Sequence, residues 1–403
     1  ADAVVAKLCD PSKEWVRTVR TMKQARRILG GKPAINPFGL VVKEKKDDEG
    51  LVISLKERLI LDAKRSRTNA AARSRSRIVL PRLIDAVLRM LTLCSVALAK
   101  KQNLLTSCSW LVLDFEDAYY LIPLHPEERR FHCARYKKDI IIFLRTGQGA
   151  KASSLTWAHM AALITRLTQS LYKQDEAALE TYTDDPLLAL LGTDEAHNDE
   201  LAALAMATWI VLGFRLAFHK GQRGRQVTWI GASLTLLSGG LTVTVAEALW
   251  NEVRSSCEEI LRTNVVSAKV LKRVAGQANF IAGLIWTWRP FLAPLWAALS
   301  KNGATPGSIR ACVWVKQIRK SLTWIVSFLT HRSSAMAKVF YYPSAADDED
   351  EVTFVTDASP TGLGGLLVKQ GQVKEYYFDR ITEADSKRLG RETKSSKGQQ
   401  VWE

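Results

Sequence analysis

Tyr182-Thr183-Asp184-Asp185 reads as a hairpin turn that presents two carboxylates, seventy positions beyond Asp114 in the run Val112-Leu113-Asp114-Phe115-Glu116-Asp117-Ala118-Tyr119-Tyr120. The apolar stretch ending on Asp114 predicts a buried strand with one carboxylate at its tip. Tandem aspartates in a turn are often only backbone caps, and a strand delivering a further carboxylate argues against that here. Carboxylates brought together by a strand end and a hairpin suit a pair of divalent ions. Hard cations such as Mg²⁺ take oxygen ligands, and a two-metal site stabilises both the attacking and the leaving oxygen of an in-line phosphoryl displacement.

The pattern Leu-Asp-x-x-Asp-Ala-Tyr-Tyr-x-Ile-Pro-Leu from Leu113 to Leu124 resembles the first catalytic motif of retroelement reverse transcriptases, and Tyr182 to Asp185 resembles their Tyr-x-Asp-Asp box. Between them, Gly147-Gln148-Gly149-Ala150-Lys151-Ala152-Ser153-Ser154 is similar to the family's Gln-Gly-x-x-x-Ser-Pro motif, with Ser154 in place of the proline. Downstream, Leu212-Gly213-Phe214-Arg215-Leu216 leading to Lys220 is similar to the fourth palm motif, and Trp229-Ile230-Gly231 resembles the turn that grips the primer end. Upstream, Lys56 to Arg65 followed by Asn69 resembles the fingers motif that meets the nucleoside triphosphate, in a slightly longer form. Near the C-terminus, Phe354-Val355-Thr356-Asp357-Ala358-Ser359 with Gly362-Leu363-Gly364-Gly365 resembles the first strand and turn of a retroelement ribonuclease H, and Ser396 to Glu403 the helix carrying its second carboxylate.

The resemblance implies an α+β chain: a right-hand polymerase of fingers, palm and thumb, followed by a connection and a partial ribonuclease H-like α/β domain. It implies that Asp114, Asp184 and Asp185 hold two Mg²⁺ or Mn²⁺ ions. It places Tyr119 beneath the nucleotide sugar, where a ring would clash with a 2′-hydroxyl, and Gln148 and Gly149 against the base pair. Lys64 or Arg65 would meet the triphosphate, Lys220 the pyrophosphate charge, and Trp229, Ile230 and Gly231 the primer. Asp357 and Glu403 would begin a second metal pair. The family's remaining two aspartates would lie past the last residue, so no RNA-strand cleavage is expected of this chain alone. The implied partners are an RNA or DNA template with its primer, deoxynucleoside triphosphates, and other parts of a retroelement polyprotein. The Ala1 start and the end at Glu403 suggest a polyprotein fragment.

Composition agrees with a folded protein that meets a polyanion. The 403 residues are 47% apolar, which excludes a mainly disordered chain and allows several cores. The 57 Lys and Arg outnumber the 41 Asp and Glu, for a net charge of +16. Basic side chains that neutralise phosphates release condensed counterions, although basicity alone fits a solvated basic surface equally well. Cys9, Cys94, Cys108, Cys133, Cys257 and Cys312 are scattered without a Cys-x-x-Cys pair, as are the histidines, which argues against a zinc framework and a secreted disulfide scaffold. A reducing, intracellular setting is expected, cytoplasmic (including virus-like particles) or nuclear, with no membrane span. The apolar stretch Leu201 to Phe218 reads as a buried amphipathic helix rather than a membrane span because it contains Arg215 and is followed by Lys220.

The chain divides by pattern into a basic helical segment over 1–30, fingers over 31–112, palm over 113–235, a helical thumb over 236–300, a connection with the acidic linker Asp347–Glu351 over 301–350, and the ribonuclease H-like part over 351–403. Arg17, Arg20, Lys23, Arg26 and Arg27 would share one helical face, as a solvated surface or a template contact. A helix capped by serine is predicted from Ser153, with Leu155, Ala158, Ala162, Leu163, Leu167 and Leu171 on its core face. Most tryptophans of the thumb segment read as core, and Pro186 marks a strand start because deeper in a sheet it removes a ladder donor. Three functional readings follow: an RNA-directed DNA polymerase; an inactive nucleic-acid-binding relic, for which the missing ends, Thr183, Ser154 and Pro186 are the motives; and a templated polymerase of another kind, such as an RNA-dependent RNA polymerase, against which Tyr119 argues.

Overall fold

Cys108–Val112 is buried at every position, as a central strand requires. In the computed structural model, which describes residues 2–46, 52–73, 76–301, 312–342, 352–359, 361–369 and 371–389, it is an inner strand of a four-stranded antiparallel sheet. The order is Gln222–Gly224, Cys108–Val112, Asp185–Leu191, Ala177–Tyr182. Alternate side chains point to opposite faces. Leu111, Leu113, Leu188 and Leu190 meet the helices Lys151–Gln169 and Glu195–Val211 in a core built on Phe115, Trp157 and Trp209. The other face receives the helix Leu83–Ala99, which packs on the 177–191 hairpin and brings the Cys94 sulfur to 3.8 Å from that of Cys108.

The helix over 151–169 corrects two expectations. It begins at Lys151, and no serine caps it; the Asn69 side chain accepts from the Lys151 N–H at 2.7 Å. Its buried face is Ser153, Trp157, Ala161, Ile164 and Thr168, whereas Leu163, Leu167 and Leu171 are about half exposed, at 52%, 46% and 47%. An indole removes more apolar surface from water than a leucine and needs a partner for its N–H. Trp157 finds one in the Thr183 carbonyl at 2.8 Å, and that anchor sets the helix rotation.

Residues 1–30 are not one basic helix. Two helices, Asp2–Leu8 and Met22–Leu29, flank the strand Val16–Val19. Arg17 therefore lies on a strand, opposite Ile142, and not on a helical face with Arg26 and Arg27. Thr21 caps the second helix, and Gln24 returns the bond in a capping box. The strand joins a second four-stranded sheet with Asp139–Phe143, Cys133–Tyr136 and Ile35–Asn36. Ala25 packs on Cys133, Ile140 and Ile142 from one side, and Val5, Leu8 and Trp15 cover Ala134, Ile141 and Phe143 from the other. A long hairpin, Phe38–Lys46 with Val52–Leu61, returns to this second core through Leu61.

The segment 236–300 is not helical throughout. Gln226–Trp229, Ala232–Leu237, Gly240–Val245 and Ala337–Tyr341 form a third antiparallel sheet, and the helices begin at Glu247. Helices Glu247–Leu261, Ala268–Leu284, Arg289–Lys301 and Val315–His331 pack around buried Trp288, whose ring meets Trp324 edge-on at 6.3 Å. Phe291 stacks on Trp324 at 3.7 Å, while Trp286 and Trp296 face solvent at 54% and 37% exposure. The helix within the apolar stretch spans Glu195–Val211, so Arg215 lies beyond it. Among the described residues, no helix is long and apolar enough to cross a membrane.

All of this belongs to one unit, Ala1–Tyr341; the second is Tyr342–Glu403. The second unit contains the meander Val352–Ala358, Gly362–Lys369, Gln372–Arg380 and the short helix Glu383–Leu389. The acidic linker residues 347–351, Ser74, Arg75, and the segment 396–403 with Glu403 lie outside the described residues.

Candidate active site

The strand Cys108–Val112 continues as a clamped extension. The Leu113 N–H donates to the Pro186 carbonyl at 3.1 Å, the Phe115 N–H to the Asp184 carbonyl at 2.8 Å, and the Glu116 N–H to the Arg215 carbonyl at 2.8 Å. The Ala217 N–H donates to the Asp114 carbonyl at 2.9 Å. Asp114 is thus fixed between the carboxylate hairpin on one side and residues 215–217 on the other. Pro186 accepts from Leu113 but has no N–H to return, so the ladder loses one bond at the strand's first positions, where that loss is tolerated.

Tyr182 pairs with Asp185 across a turn of Thr183 and Asp184. Thr183 has φ 53°, an uncommon state for a β-branched residue. It is held there by the Trp157 indole on its carbonyl and by its own hydroxyl, which donates to Asp184 Oδ1 at 2.7 Å. Behind Asp185, its carbonyl accepts from Trp229 Nε1 at 3.0 Å, and the Trp229 ring meets Tyr182 edge-on. Strain of this kind is retained where surrounding contacts over-determine it, and it gathers at functional turns.

Asp114, Asp184 and Asp185 line one cavity of about 540 Å³, entirely within the first unit. Tyr119, Gln148 and Lys220 line it with them. Tyr119 sits on the short helical turn Ala118–Leu121, half buried against the core. Burial pushes its phenol pKa up, and the Asp184 carboxylate adds to that, against the opposing charge of Arg58. Tyr120, stacked on Trp15 at 4.3 Å, is pushed up to about 12 by burial.

Gln148 is bonded to the long hairpin and Gly149 to the short helix Thr68–Ala71 that follows it. The Leu61 N–H donates to the Gln148 carbonyl at 2.8 Å, and Asn69 Nδ2 donates to the Gly149 carbonyl at 2.9 Å. Gly149 has φ +105°, and a Cβ there would lie 2.1 Å from the Leu61 carbonyl oxygen. Only glycine permits both.

Lys64 and Arg65 are not among the cavity residues. They are exposed in the turn after the hairpin, where the Arg65 N–H donates to Asp62 Oδ1 at 3.0 Å. The basic side chain that the hairpin does contribute is Arg58, and the helix Asp2–Leu8 adds Lys7. Arg58 lies within the stretch read from sequence, but strand alternation does not say which basic residue faces the acids.

Trp229-Ile230-Gly231 leads into a tight turn in which Trp229 pairs with Ala232. Ile230 and Gly231 both have positive φ, 44° and 89°, the pattern that Asn-Gly satisfies best. Ile230→Asn should therefore stabilise the fold by about 1 kcal/mol of relieved strain and so raise the thermal midpoint. Thermal unfolding checks this, and an unchanged or lower midpoint contradicts it.

Oxygen donors on adjacent strand ends suit a hard divalent cation. As placed, no three Asp, Glu, His or Cys side chains among the described residues gather closely enough to hold an ion. Instead the Lys220 ammonium pairs with Asp114 Oδ2, so a monovalent cation stands against that carboxylate. In the second unit, Asp357 lines a separate groove together with Asp379 and Glu383, and its Oδ1 accepts from the Ala358 N–H at 2.9 Å.

No protein-family model and no curated protein matches the chain. Among solved structures it is similar to the foamy viral protease-reverse transcriptase in complex with RNA/DNA hybrid, at 15% identity and TM-score 0.47, covering 91% of this chain and 41% of that one. A second is the foamy viral protease-reverse transcriptase dRH in complex with double-stranded DNA, at 15% identity and TM-score 0.44, covering 85% and 53%. The chain thus spans about half the length of these two structures.

Proposed function

We propose that the chain is an RNA-directed DNA polymerase. In this reading the sheet carrying Asp114 and its helices are the palm, the N-terminal sheet and long hairpin the fingers, and the helices after Glu247 the thumb. The observation that carries it is the convergence of a strand end and a tight hairpin, which set Asp114 beside Asp184 and Asp185 in one cavity with Tyr119, Gln148, Arg58 and Lys220. Bound by the three aspartates, two Mg²⁺ or Mn²⁺ ions would activate the primer 3′-hydroxyl and steady the charge on the phosphates. The chain's own residues supply positioning. Arg58 and Lys220 meet the triphosphate, the backbone at Gln148 and Gly149 supports the base pair, and the turn at Ile230 and Gly231 holds the primer.

The test is extension of a DNA primer on an RNA template with deoxynucleotides and a divalent ion. Template-directed products that vanish with chelator support the reading. Salt-dependent duplex binding without incorporation, even in Mn²⁺, overturns it in favour of a non-catalytic relic.

Tyr119→Val removes the wall beneath the sugar. Ribonucleotide use relative to deoxynucleotide use should rise roughly tenfold or more, the scale of a lost shape contact. Single-nucleotide incorporation kinetics measure this, and an unchanged ratio contradicts the assigned role.

A further inference from the structure

Lys220 is not a loose surface lysine. Its backbone N–H donates to the Ala217 carbonyl at 2.9 Å, and the Ala217 N–H donates to the Asp114 carbonyl, so two backbone hydrogen bonds through Ala217 tie Lys220 to Asp114. Two residues further on, Gln222 pairs with Val112, itself two residues before Asp114. A Cβ at the intervening Gly221 would lie 3.0 Å from the Leu113 side chain, so the lysine is held close to the strand from that side as well. Its ammonium pairs with an Asp114 side chain that is only 17% exposed.

We infer that Lys220 is the resident counter-ion of Asp114, which a divalent cation must displace before the carboxylate can ligate it. This deepens the polymerase reading and rests on it only for what the cation is used for. The same ammonium, once displaced, is free for the anionic group that arrives with the cation. One lysine thereby couples uptake of the cation to uptake of phosphate.

Unbound Mn²⁺ measured by electron paramagnetic resonance, on the full chain without nucleotide or template, tests this. Lys220→Gln should tighten Mn²⁺ binding about fivefold, the upper end for a partly exposed ion pair. Lys7→Gln removes the same charge from the same cavity without touching Asp114 and should change affinity less than about twofold, since only a screened field is lost. In an Asp114→Asn background, Lys220→Gln should give no gain. An unchanged or weaker affinity in Lys220→Gln, confirmed with Lys220→Met, overturns the inference, as does an equal gain from Lys7→Gln. Wild-type primer extension is read alongside. Absent extension with the gain intact removes the polymerase reading and keeps the counter-ion; extension without the gain removes the counter-ion alone.

Discussion

Asp184→Asn should reduce templated primer extension by on the order of a thousandfold or more, about 4 kcal/mol of transition-state stabilisation. The substitution keeps the shape of the side chain and removes one anionic oxygen. The hairpin should survive it, because an amide oxygen still accepts from the Thr183 hydroxyl that now donates to Asp184 Oδ1, and the other bonds that hold the turn do not involve that charge. The Asp184 backbone carbonyl still accepts from Phe115, the Thr183 carbonyl still accepts from Trp157, and the Tyr182–Asp185 pairing is unaffected. A thermal midpoint near wild type and normal duplex binding are therefore expected alongside the lost activity. Steady-state incorporation and a thermal melt measure the two effects. Retained extension would remove Asp184 from the site, and a collapsed melt would show the turn to depend on the charge.

Gly149→Ala should destabilise the first unit by roughly 2–4 kcal/mol, combining backbone strain with a forced separation. The new Cβ would meet the Leu61 carbonyl oxygen at 2.1 Å, in a backbone state of φ +105° that L-residues rarely adopt. Relief requires the 147–149 loop to leave the hairpin strand. That movement gives up the bonds from Leu61 to Gln148 at 2.8 Å and from Asn69 to Gly149 at 2.9 Å. For a domain of this size the midpoint should fall by roughly 5–10 °C. Extension should fall further than stability alone explains, because a displacement of about 1 Å at a positioning group can cost about a hundredfold. A wild-type melt in Gly149→Ala would mean that the loop and the strand do not close as described.

The placement of the three aspartates was legible because both signals are local: an apolar run ending on Asp114, and a turn between two apolar runs at 182–185. What the sequence left hidden depends on how separate elements face one another. Arg58 and Lys64 are both basic residues in the one stretch from Lys56 to Arg65, and only the pairing of the long hairpin and its return through Leu61 turns Arg58 toward the cavity. The leucines at 163, 167 and 171 have a regular helical spacing, yet the helix is rotated by the Trp157 indole that reaches Thr183, a partner outside any helical window. The cap at Lys151 comes from Asn69, 82 residues away in sequence. The basic segment at the N-terminus carries enough charge to read as one solvated helix, but Val16 and Val19 supply the β-branched positions that pair with Phe143 and Ile140. Ile230 shows a different limit: a β-branched residue in a left-handed turn contradicts local preference, and such conflicts are expected at functional positions.

The most direct test of the central claim, that Asp114, Asp184 and Asp185 form a divalent-ion site for templated nucleotidyl transfer, is a time course with the full chain. A labelled DNA primer annealed to an RNA template of defined sequence is incubated with deoxynucleotides in Mg²⁺, in Mn²⁺, or in chelator. The predicted result is a ladder that follows the template in either ion and stops in chelator. Extension that persists in chelator, or a primer left unextended in both ions although the chain binds the duplex, would contradict it.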